Sequence, residues 1–399
     1  MEATEIRAIE DTDVLIVGAG PTGLALAITL VRSGIKVQIV DKLLTGQNTS
    51  RAAVIHAHTL EVLVSVGASE RLVRLGLKLT KFSIRDRDRI LLRLRFDTLP
   101  TRYNYLLMLP QDKTEKVLSE MLSEAGGCVR WGNVVEKLVE TGEGIRACIE
   151  TKQGKRIVNA RYVIGADGMN SLVRESVGIK FSGGSYEQSF VLADVEMSGS
   201  SGSDEVMQFF SPAGLLVVAP LPADRYRIVA MLDNAPAHPG IAEVQALLDT
   251  RGPMHSVDKV TQVHWSSRFH LHHRVAERYR RRHFFLAGDA AHVHSPAGGQ
   301  GMNTGLVDAC VLGRILSHAI LYRSGDCQLD KYEMLRRPAA MQVLQLAERL
   351  TKMAVMSGSS KQLFRNAVLQ AGNLVPLFRN RLAMNLSGLS RRASAEIEL

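Results

Sequence analysis

The sequence predicts an α/β fold: a Rossmann-like nucleotide-binding domain with an inserted, mostly antiparallel β-sheet domain and C-terminal helices. Between residues 13 and 41 an apolar strand, a glycine-rich turn, a helix and a second strand follow one another, which is the order of a parallel βαβ unit. Residues 181–275 are instead rich in Gly and Ser between short strand-like runs, as in antiparallel sheets. Beyond Gln328 apolar residues recur at helical spacing. The chain therefore contains three regions of different architecture.

The first motif joins the two strands of the βαβ unit. Glycines at this spacing allow a tight turn, the approach of a pyrophosphate to the backbone and close packing of the helix on the strand. The N–H groups at the start of the helix favour an anion. Asp41 ends the second strand, where an acid can accept hydrogen bonds from an adenosine ribose. The turn and the helix start consist of Gly18, Gly20, Pro21, Thr22 and Gly23.

Further polar candidates follow along the chain. Arg51 could fork onto phosphate oxygens of a bound nucleotide, or it is a surface arginine, and the residue alone leaves both interpretations open. Residues 59–67 have the apolar spacing of a helix that lies near the nucleotide. Gln111 follows a proline and begins another helix, for which Thr114 or Asp112 is the expected cap. These residues extend the predicted nucleotide site beyond the first motif.

A second motif follows a predicted meander. Residues 128–158 form three short runs separated by glycine-containing turns, which predict antiparallel strands. The next strand stops at Gly165, and Asp167 stands just before a helix start. Because this repeats the order of strand, glycine and acid, we predict a second edge that faces the dinucleotide.

The third motif runs from Phe284 to Gly305. A buried strand delivers Gly288 and Asp289 to its carboxyl end, and a loop rich in Pro and Gly then leads into a helix predicted over residues 306–319. The first turn of that helix presents free N–H groups. The basic run just before the motif, residues 278–283, is more typical of a solvated turn than of a phosphate site.

The inserted sheet is predicted from alternating residues at 81–96 and from strands at 206–210, 215–219 and 228–232, with a hairpin turn at 211–214. Its apolar face could form the floor of a substrate pocket. Neighbouring strand residues point to opposite faces, so only one of the two phenylalanines can face that pocket. The candidate substrate residues are Phe209, Phe210, Leu215, Val217 and His56.

The composition of the chain excludes several classes of protein. The chain has 399 residues, 46% hydrophobic and 22% charged, which indicates a folded globular protein. The net charge of +9 comes from dispersed basic residues without an aromatic-rich binding motif, so nucleic acid is not an expected partner. The acid-rich N-terminus does not resemble a signal peptide, and glycines and a proline interrupt the uncharged stretch 14–31, so no transmembrane segment is expected. We therefore expect a cytoplasmic protein.

No metal or disulfide site is predicted. The four cysteines are scattered without a CxxC pair, which favours reduced thiols. His270, His272 and His273 lack a neighbouring cluster of Cys or acidic residues. Histidines of an edge strand are therefore the preferred interpretation.

The three motifs together resemble those of a known family. The segments GAGPTG, GADGMNSLVR and FFLAGDAAHVHSPAGGQGMNTGLVDA are similar, in order and spacing, to the flavin motifs of the group A FAD-dependent aromatic hydroxylases, which include p-hydroxybenzoate hydroxylase and phenol hydroxylase. The third matches over about 25 consecutive positions, and the likeness extends over residues 12–340. It specifies the family and the cofactor but not the substrate.

The resemblance implies a monooxygenase in which NADPH or NADH reduces bound FAD, O2 adds at the flavin C4a position, and the hydroperoxide hydroxylates a phenolic or polycyclic aromatic molecule. The cofactor carries this chemistry, so no side-chain nucleophile is expected. The flavin ring would be bordered by Pro296, Gly299 and Gly301. The implied FAD contacts are Gly18, Gly20, Pro21, Thr22, Gly23, Asp41, Lys42, Arg51, Gln111, Asp167, Gly288, Asp289, Pro296, Gly299, Gly301, Met302 and Asn303.

The resemblance also divides the chain. Residues 1–80, 105–180 and 276–330 would form the FAD-binding domain, residues 81–104 and 181–275 the substrate-binding sheet domain, and residues 331–399 a C-terminal helical segment with a frayed end. Relatives with a stretch like SRAAVIHAHTLEVL usually carry an additional thioredoxin-like domain, and this chain ends before a complete one. Arg282 stands where relatives often have glycine. The oligomeric expectation is a monomer or a homodimer.

Three functions other than hydroxylation are considered for a chain with such motifs. A flavin halogenase should contain a WxWxIP segment, but Trp131 and Trp265 are isolated, which excludes it. An FAD-dependent reductase without oxygen transfer and a nonenzymatic FAD-binding module remain open, since fold analogy alone does not determine function.

Overall fold

The computed structural model describes residues 6–46, 52–199, 204–232, 235–323, 325–354, 356 and 358–397. The predicted α/β class is confirmed. The strands are β1 (Ile6–Val17), β2 (Val37–Asp41), β3 (Val54–Ile55), β4 (Leu77–Leu79), β5 (Lys81–Asp86), β6 (Arg89–Arg95), β7 (Leu106–Met108), β8 (Val129–Trp131), β9 (Val134–Glu140), β10 (Ile145–Thr151), β11 (Gly154–Gly165), β12 (Phe181–Ser198), β13 (Glu205–Ser211), β14 (Gly214–Leu221), β15 (Arg225–Met231), β16 (Lys259–Ala276), β17 (Arg280–Arg281), β18 (Phe284–Leu286) and β19 (His292–Val293).

The helices are α1 (Pro21–Arg32), α2 (Ala57–Leu63), α3 (Ser69–Leu75), α4 (Gln111–Glu124), α5 (Leu172–Ser176), α6 (Ile241–Arg251), α7 (Gly301–Leu321), α8 (Asp326–Ala354), α9 (Ser359–Asn373) and α10 (Pro376–Leu386). Two short 3-10 helices cover Gly288–Ala290 and Leu389–Ala395.

The nucleotide-binding sheet has the order β17-β18-β11-β1-β2-β8. Its central strands β18, β11, β1, β2 and β8 run parallel, and residues 14–17 of β1 are buried because helices cover the sheet. The predicted meander is correct for β9, β10 and β11, which pair antiparallel. It is wrong for β8, which pairs with β2 and extends the parallel sheet.

The large sheet has the order β19-β16-β12-β15-β14-β13-β5-β6. It unites strands from residues 81–95 with strands from residues 181–276, and β13 and β14 pair antiparallel across the predicted hairpin turn. Its pairs are antiparallel except for β13 with β5, which run parallel. β19 joins this sheet directly after β18 has ended in the other one, so the third motif bridges the two sheets.

Helix α7 lies in the core of the nucleotide-binding half. By length and composition it could cross a membrane, but 78% of its most apolar window is buried inside the protein, as in a core helix. It packs closely on α1, because a Cβ on Gly313 would lie only 2.6 Å from Thr29 Cγ2. The small sheet β3-β7-β4 lies beside this half of the protein and supplies Val54 to the site.

The C-terminal region is helical, as predicted, but it differs in two respects. Helix α8 begins at Asp326, before the predicted boundary at 331. The predicted frayed end is wrong up to Ile397: Leu389 and Ala395 are buried, and Arg336 Nη1 donates to Ser394 Oγ at 2.7 Å. Packing on α2 and α8 therefore holds this segment on the protein.

Candidate cofactor and substrate site

The glycine turn after β1 has room for a ligand on one side only. Gly18 has φ +104°, and a Cβ there would collide with the Ala166 carbonyl; a Cβ on Gly23 would collide with the Gly18 carbonyl. A Cβ on Gly20 would meet no atom within 4 Å. Gly20 therefore faces open space at the start of α1, whose first turn contains no acidic residue. This geometry fits the pyrophosphate of a dinucleotide.

Asp41 connects the glycine turn after β1 with the turn that follows β2, beside that open space. Its Oδ2 accepts the N–H of Ala19 at 2.7 Å, and its Oδ1 accepts the N–H of Leu43 at 2.9 Å. A carboxylate has about four acceptor positions, so both oxygens can also accept ribose hydroxyls. Lys42 is exposed next to it, and the candidate Arg51 lies outside the described residues.

Gln111, the first residue of helix α4, connects this helix to the segment at Ala52, just before β3. Its Oε1 accepts the N–H of Ala52 at 3.2 Å, and its Nε2 donates to Glu115 Oε1 at 2.8 Å. Burial raises the pKa of Glu115 to about 7, and the nearby Asp112 and Asp41 also raise it. The sequence did not single out Glu115. The predicted cap is wrong, since Pro110 occupies the cap position without a side-chain hydrogen bond.

Asp167 follows β11 close to the glycine turn. Its Oδ2 accepts the N–H of Val173 at 3.2 Å. Oδ1 is buried and has no hydrogen-bond partner among the described residues, and burial raises the pKa of this carboxyl group. A buried oxygen without a donor is costly.

Three distant segments converge at Thr22. A Cβ on Gly288 would lie 2.6 Å from Thr22 Oγ1, and a Cβ on Gly305 would collide with the same oxygen. Gly288 also has φ +60°. The start of α1, the turn after β18 and helix α7 can therefore approach one another only because both positions are glycine. Asp289 is exposed on this turn at the carboxyl end of β18, as predicted.

A buried ion network supports the turn from behind. Asp308 is fully buried and accepts the N–H of Gly288 at 3.2 Å, His292 Nε2 at 2.6 Å and Arg336 Nε at 2.7 Å. Burial alone would raise its pKa, but His292 and Arg336 hold the pKa of Asp308 below its usual range. Sequence reasoning missed Asp308, although it lies three residues after Gly305, inside the segment of residues 284–309 that resembles the third flavin motif. The sequence did contain a signal for it, since an acidic residue in a mostly apolar helix indicates a buried, paired carboxylate.

The loop between β19 and α7 is fixed by Asn303. Its Oδ1 accepts the N–H of His56, and its Nδ2 donates to the carbonyls of Val54 and Gly299, all at 2.8 Å. Gly299 has φ +62°, and a Cβ there would collide with the Val54 side chain. Asn303 is therefore a buried clamp on the loop. Its neighbours Pro296, Gly301 and Met302 are partly exposed, as a loop that borders a flavin ring requires.

The C-terminal segment holds the same loop from the other side. Gln300 Nε2 donates to the Leu386 carbonyl at 2.9 Å, and Gln300 Oε1 accepts Arg391 Nη2 at 3.1 Å. Burial and, to a smaller extent, the charge of Arg336 lower the pKa of Arg391 to about 10. The contact between Gln300 and Arg391 was not predicted from the sequence, because it joins segments about 90 residues apart.

His56 lies behind this loop, although the sequence suggested a substrate role for it. Its Nε2 lies 2.9 Å from the Gly298 carbonyl, which can only accept, so Nε2 is the donor. Burial lowers the pKa of His56 to about 4 and keeps the ring neutral. Its Nδ1 has no hydrogen-bond partner among the described residues. The ring borders a cavity of about 20 Å³ together with His58, Thr304 and Arg391, which is room for one water molecule.

The two faces of the large sheet separate the substrate candidates. Phe210, Leu215 and Val217 belong to the core shared with the nucleotide-binding sheet. Phe209 belongs to a second core on the opposite face, where helix α6 packs. Phe209 is therefore the packing residue of the pair, and Phe210 is the one that stays a substrate candidate. Phe190 and Phe269, 5.9 Å apart between ring centroids, join the inner face and were missed.

Comparisons with known proteins agree on one family. A family model described as an FAD binding domain matches residues 11–347. The chain is 34% identical over 348 residues to pentachlorophenol 4-monooxygenase of Sphingobium chlorophenolicum, covering 84% of this chain but only 63% of that protein. It is 31% identical over 381 residues to a flavin-dependent monooxygenase of Mycobacteroides abscessus, covering 90% of this chain and 78% of that protein.

Two solved structures are also similar. An anhydrotetracycline hydroxylase from Streptomyces rimosus has a TM-score of 0.80 at 32% identity, covering 95% of this chain and 76% of the other. p-Nitrophenol 4-monooxygenase from Pseudomonas putida has a TM-score of 0.86 over 98% of this chain and 100% of the other. Its identity of 21% supports the fold alone.

Proposed function

The chain belongs to the family defined by this FAD-binding domain, and from that premise we propose that it is an FAD-dependent monooxygenase. It would use NADPH or NADH and O2 to hydroxylate a phenolic or polycyclic aromatic molecule. One observation carries the proposal: residues 284–305 pass from the nucleotide-binding sheet through β19 of the large sheet and back to α7. The loop that would border the flavin therefore lies where the two sheets meet.

Bound FAD would supply the redox chemistry, since amino-acid side chains cannot carry hydride from a nicotinamide to O2. The residues of the chain bind and orient it. The turn at Gly20 accommodates the pyrophosphate, and Asp41 accepts ribose hydroxyls. The N-terminus of α7, at Gly301 and Met302, favours negative charge near the flavin by about 0.3–1 kcal/mol, and by up to ~2 kcal/mol in partly buried geometries.

The inner face of the large sheet would bind the substrate. Phe210 and Phe190 are buried in that face and Phe269 is half-buried beside them. They would form the aromatic wall of the pocket, and aromatic pairs contribute about 0.5–1.5 kcal/mol beyond burial. An apolar wall also excludes water from the reacting ring. This favours aromatic hydroxylation over reduction without oxygen transfer. We propose a monomer or homodimer in the cytoplasm, where reduced nicotinamides are available.

The proposal is tested with purified protein, a panel of phenols, aromatic acids and polycyclic phenols, and labelled O2. We expect bound FAD, slow NAD(P)H oxidation alone, acceleration by a suitable aromatic, and label in the product. Product without label would identify a reductase, and no NAD(P)H consumption with any aromatic would identify a binding module. Gly20→Glu puts a carboxylate into the open space at the turn, and undiminished FAD content in that variant would contradict the assigned cofactor site.

A further inference from the structure

Helices α9 and α10 expose apolar side chains. Phe364 is 71% exposed, Leu374 81% and Leu377 76%. The positions between Leu363 and Val368 that face solvent are all apolar. We define the apolar C-terminal surface as Leu363, Phe364, Val368, Leu374, Val375, Leu377 and Phe378. Contiguous surfaces of this kind mark interaction sites.

The orientation of α9 is fixed by two buried polar residues, Arg365 and Asn366. Arg365 Nη2 donates to the Phe210 carbonyl at 3.0 Å, and Arg365 Nη1 donates to the Met353 carbonyl at 3.1 Å. Asn366 Nδ2 donates to Asp86 Oδ2 at 2.9 Å. Turning the apolar side inward would break these bonds and leave the Phe210 and Met353 carbonyls without these donors. The apolar face is therefore held outward by the fold.

The segment around this surface is strongly basic. Residues 349–395 contain no Asp or Glu. Exposed Lys361 and Arg381 flank the apolar surface. The edge strand β6 adds Arg89 and Arg93 at the contact with α9, where Arg89 Nη2 donates to Gln370 Oε1 at 2.6 Å. The basic residues of the segment are Arg349, Lys352, Lys361, Arg365, Arg379, Arg381, Arg391 and Arg392.

We propose that the apolar C-terminal surface docks on the face of an anionic lipid bilayer. Helices with apolar residues on one side and Lys or Arg at the rim lie in the interfacial plane of membranes. A second copy of the chain would bring two basic rims together, which is unfavourable, whereas anionic headgroups match the rim. With 15 and 11 residues, α9 and α10 are too short to span a bilayer, so the contact is peripheral.

The proposal is tested by flotation of the full-length protein with vesicles. We expect binding to phosphatidylcholine mixed with phosphatidylglycerol, little binding to phosphatidylcholine alone, and release by salt. Lys361→Gln and Arg381→Gln should each weaken binding about fivefold, since one basic residue near an anionic surface contributes about 1 kcal/mol. Phe364→Ser combined with Leu377→Ser should abolish binding.

Val257→Ser is the matched control, because Val257 is 75% exposed outside this surface, and it should bind like the unmodified protein. Melting temperature and FAD content verify that each variant is folded. Absence of binding by the unmodified protein to anionic vesicles at low salt overturns the proposal without any variant. If Val257→Ser lost as much vesicle binding as the variants of the apolar C-terminal surface, the proposal would also be overturned. A dimer that depends on Phe364 and persists with vesicles present would assign the surface to a second copy of the chain and overturn it as well.

Discussion

Asn303 offers a direct test of how the loop at the flavin position is held. Replacing it by alanine removes three hydrogen bonds of 2.8 Å. The His56 N–H donates one of them to Asn303, and Asn303 donates the other two to the carbonyls of Val54 and Gly299. The His56 N–H is buried and loses its acceptor entirely, at about 1–3 kcal/mol, whereas the two partly buried carbonyls lose about 1 kcal/mol each. The loop should therefore lose about 3–5 kcal/mol of local stability.

The assay is amide hydrogen exchange over residues 296–303, together with FAD retained after dialysis. A loss of 3 kcal/mol speeds exchange through local opening about a hundredfold, and FAD content should fall. Asn303→Asp keeps the acceptor for His56 but directs a carboxylate oxygen at two carbonyls. It should be at least as disruptive as alanine at neutral pH.

Asn373→Ala is the control, because Asn373 Oδ1 accepts the Arg93 N–H at 3.0 Å in an exposed position. It should leave loop exchange and FAD content unchanged. If Asn303→Ala and Asn373→Ala gave the same exchange rates at the loop, the clamp described here would be refuted.

Three further predictions concern the sheet, the buried Glu115 and the ion network. Phe209 and Phe210 are both fully buried, so each alanine variant should cost ~3–5 kcal/mol of stability, but only Phe210→Ala should change aromatic preference and raise peroxide formation; unchanged preference in Phe210→Ala would remove that face from the site. Glu115 has a folded pKa of about 7 against 4.5, so the unfolded chain loses its proton first and stability falls as pH rises from 4.5 to 7. Above pH 7, Glu115→Gln should then increase the free energy of unfolding by up to ~3 kcal/mol and raise the melting temperature. Below pH 4.5 the substitution should have no such effect. An effect that does not depend on pH would contradict burial as the cause. Asp308→Asn leaves the guanidinium of Arg336 buried without its counter-charge and should cost about 3–5 kcal/mol in urea unfolding, so a loss below 1 kcal/mol would show that the network contributes little.

The nucleotide-binding motifs were predictable because their signals are local. Glycines, a strand and a helix start lie within a few residues, so the turn at Gly18 and the acid at Asp41 could be read in one segment. Even Arg282, which stands where relatives often have glycine, adopts φ +53° in the turn between β17 and β18. The position thus requires the left-handed conformation that glycine tolerates best.

Contacts between distant segments were not predictable. Nothing near Arg391 indicates that it meets Gln300, and Phe209 and Phe210 look equivalent until the register of β13 and the position of α6 are known. The strand β8 was misassigned for the same reason, since its three residues carry no mark of the partner β2. Sequence periodicity specifies an element and its faces, but the partner of each face depends on the tertiary fold.

The convergence of Gly288 and Gly305 on Thr22 has a consequence for biosynthesis. Strand β1 pairs with β11, and β11 pairs with β18, so the floor of the flavin site contains residues from the first and the last parts of the nucleotide-binding half. At about 5–20 residues per second, a ribosome needs about 15–60 s between Gly18 and Gly305. A nascent chain therefore cannot form the complete site during that interval. Flavin capture would then stabilise nearly finished chains and leave truncated products to proteolysis.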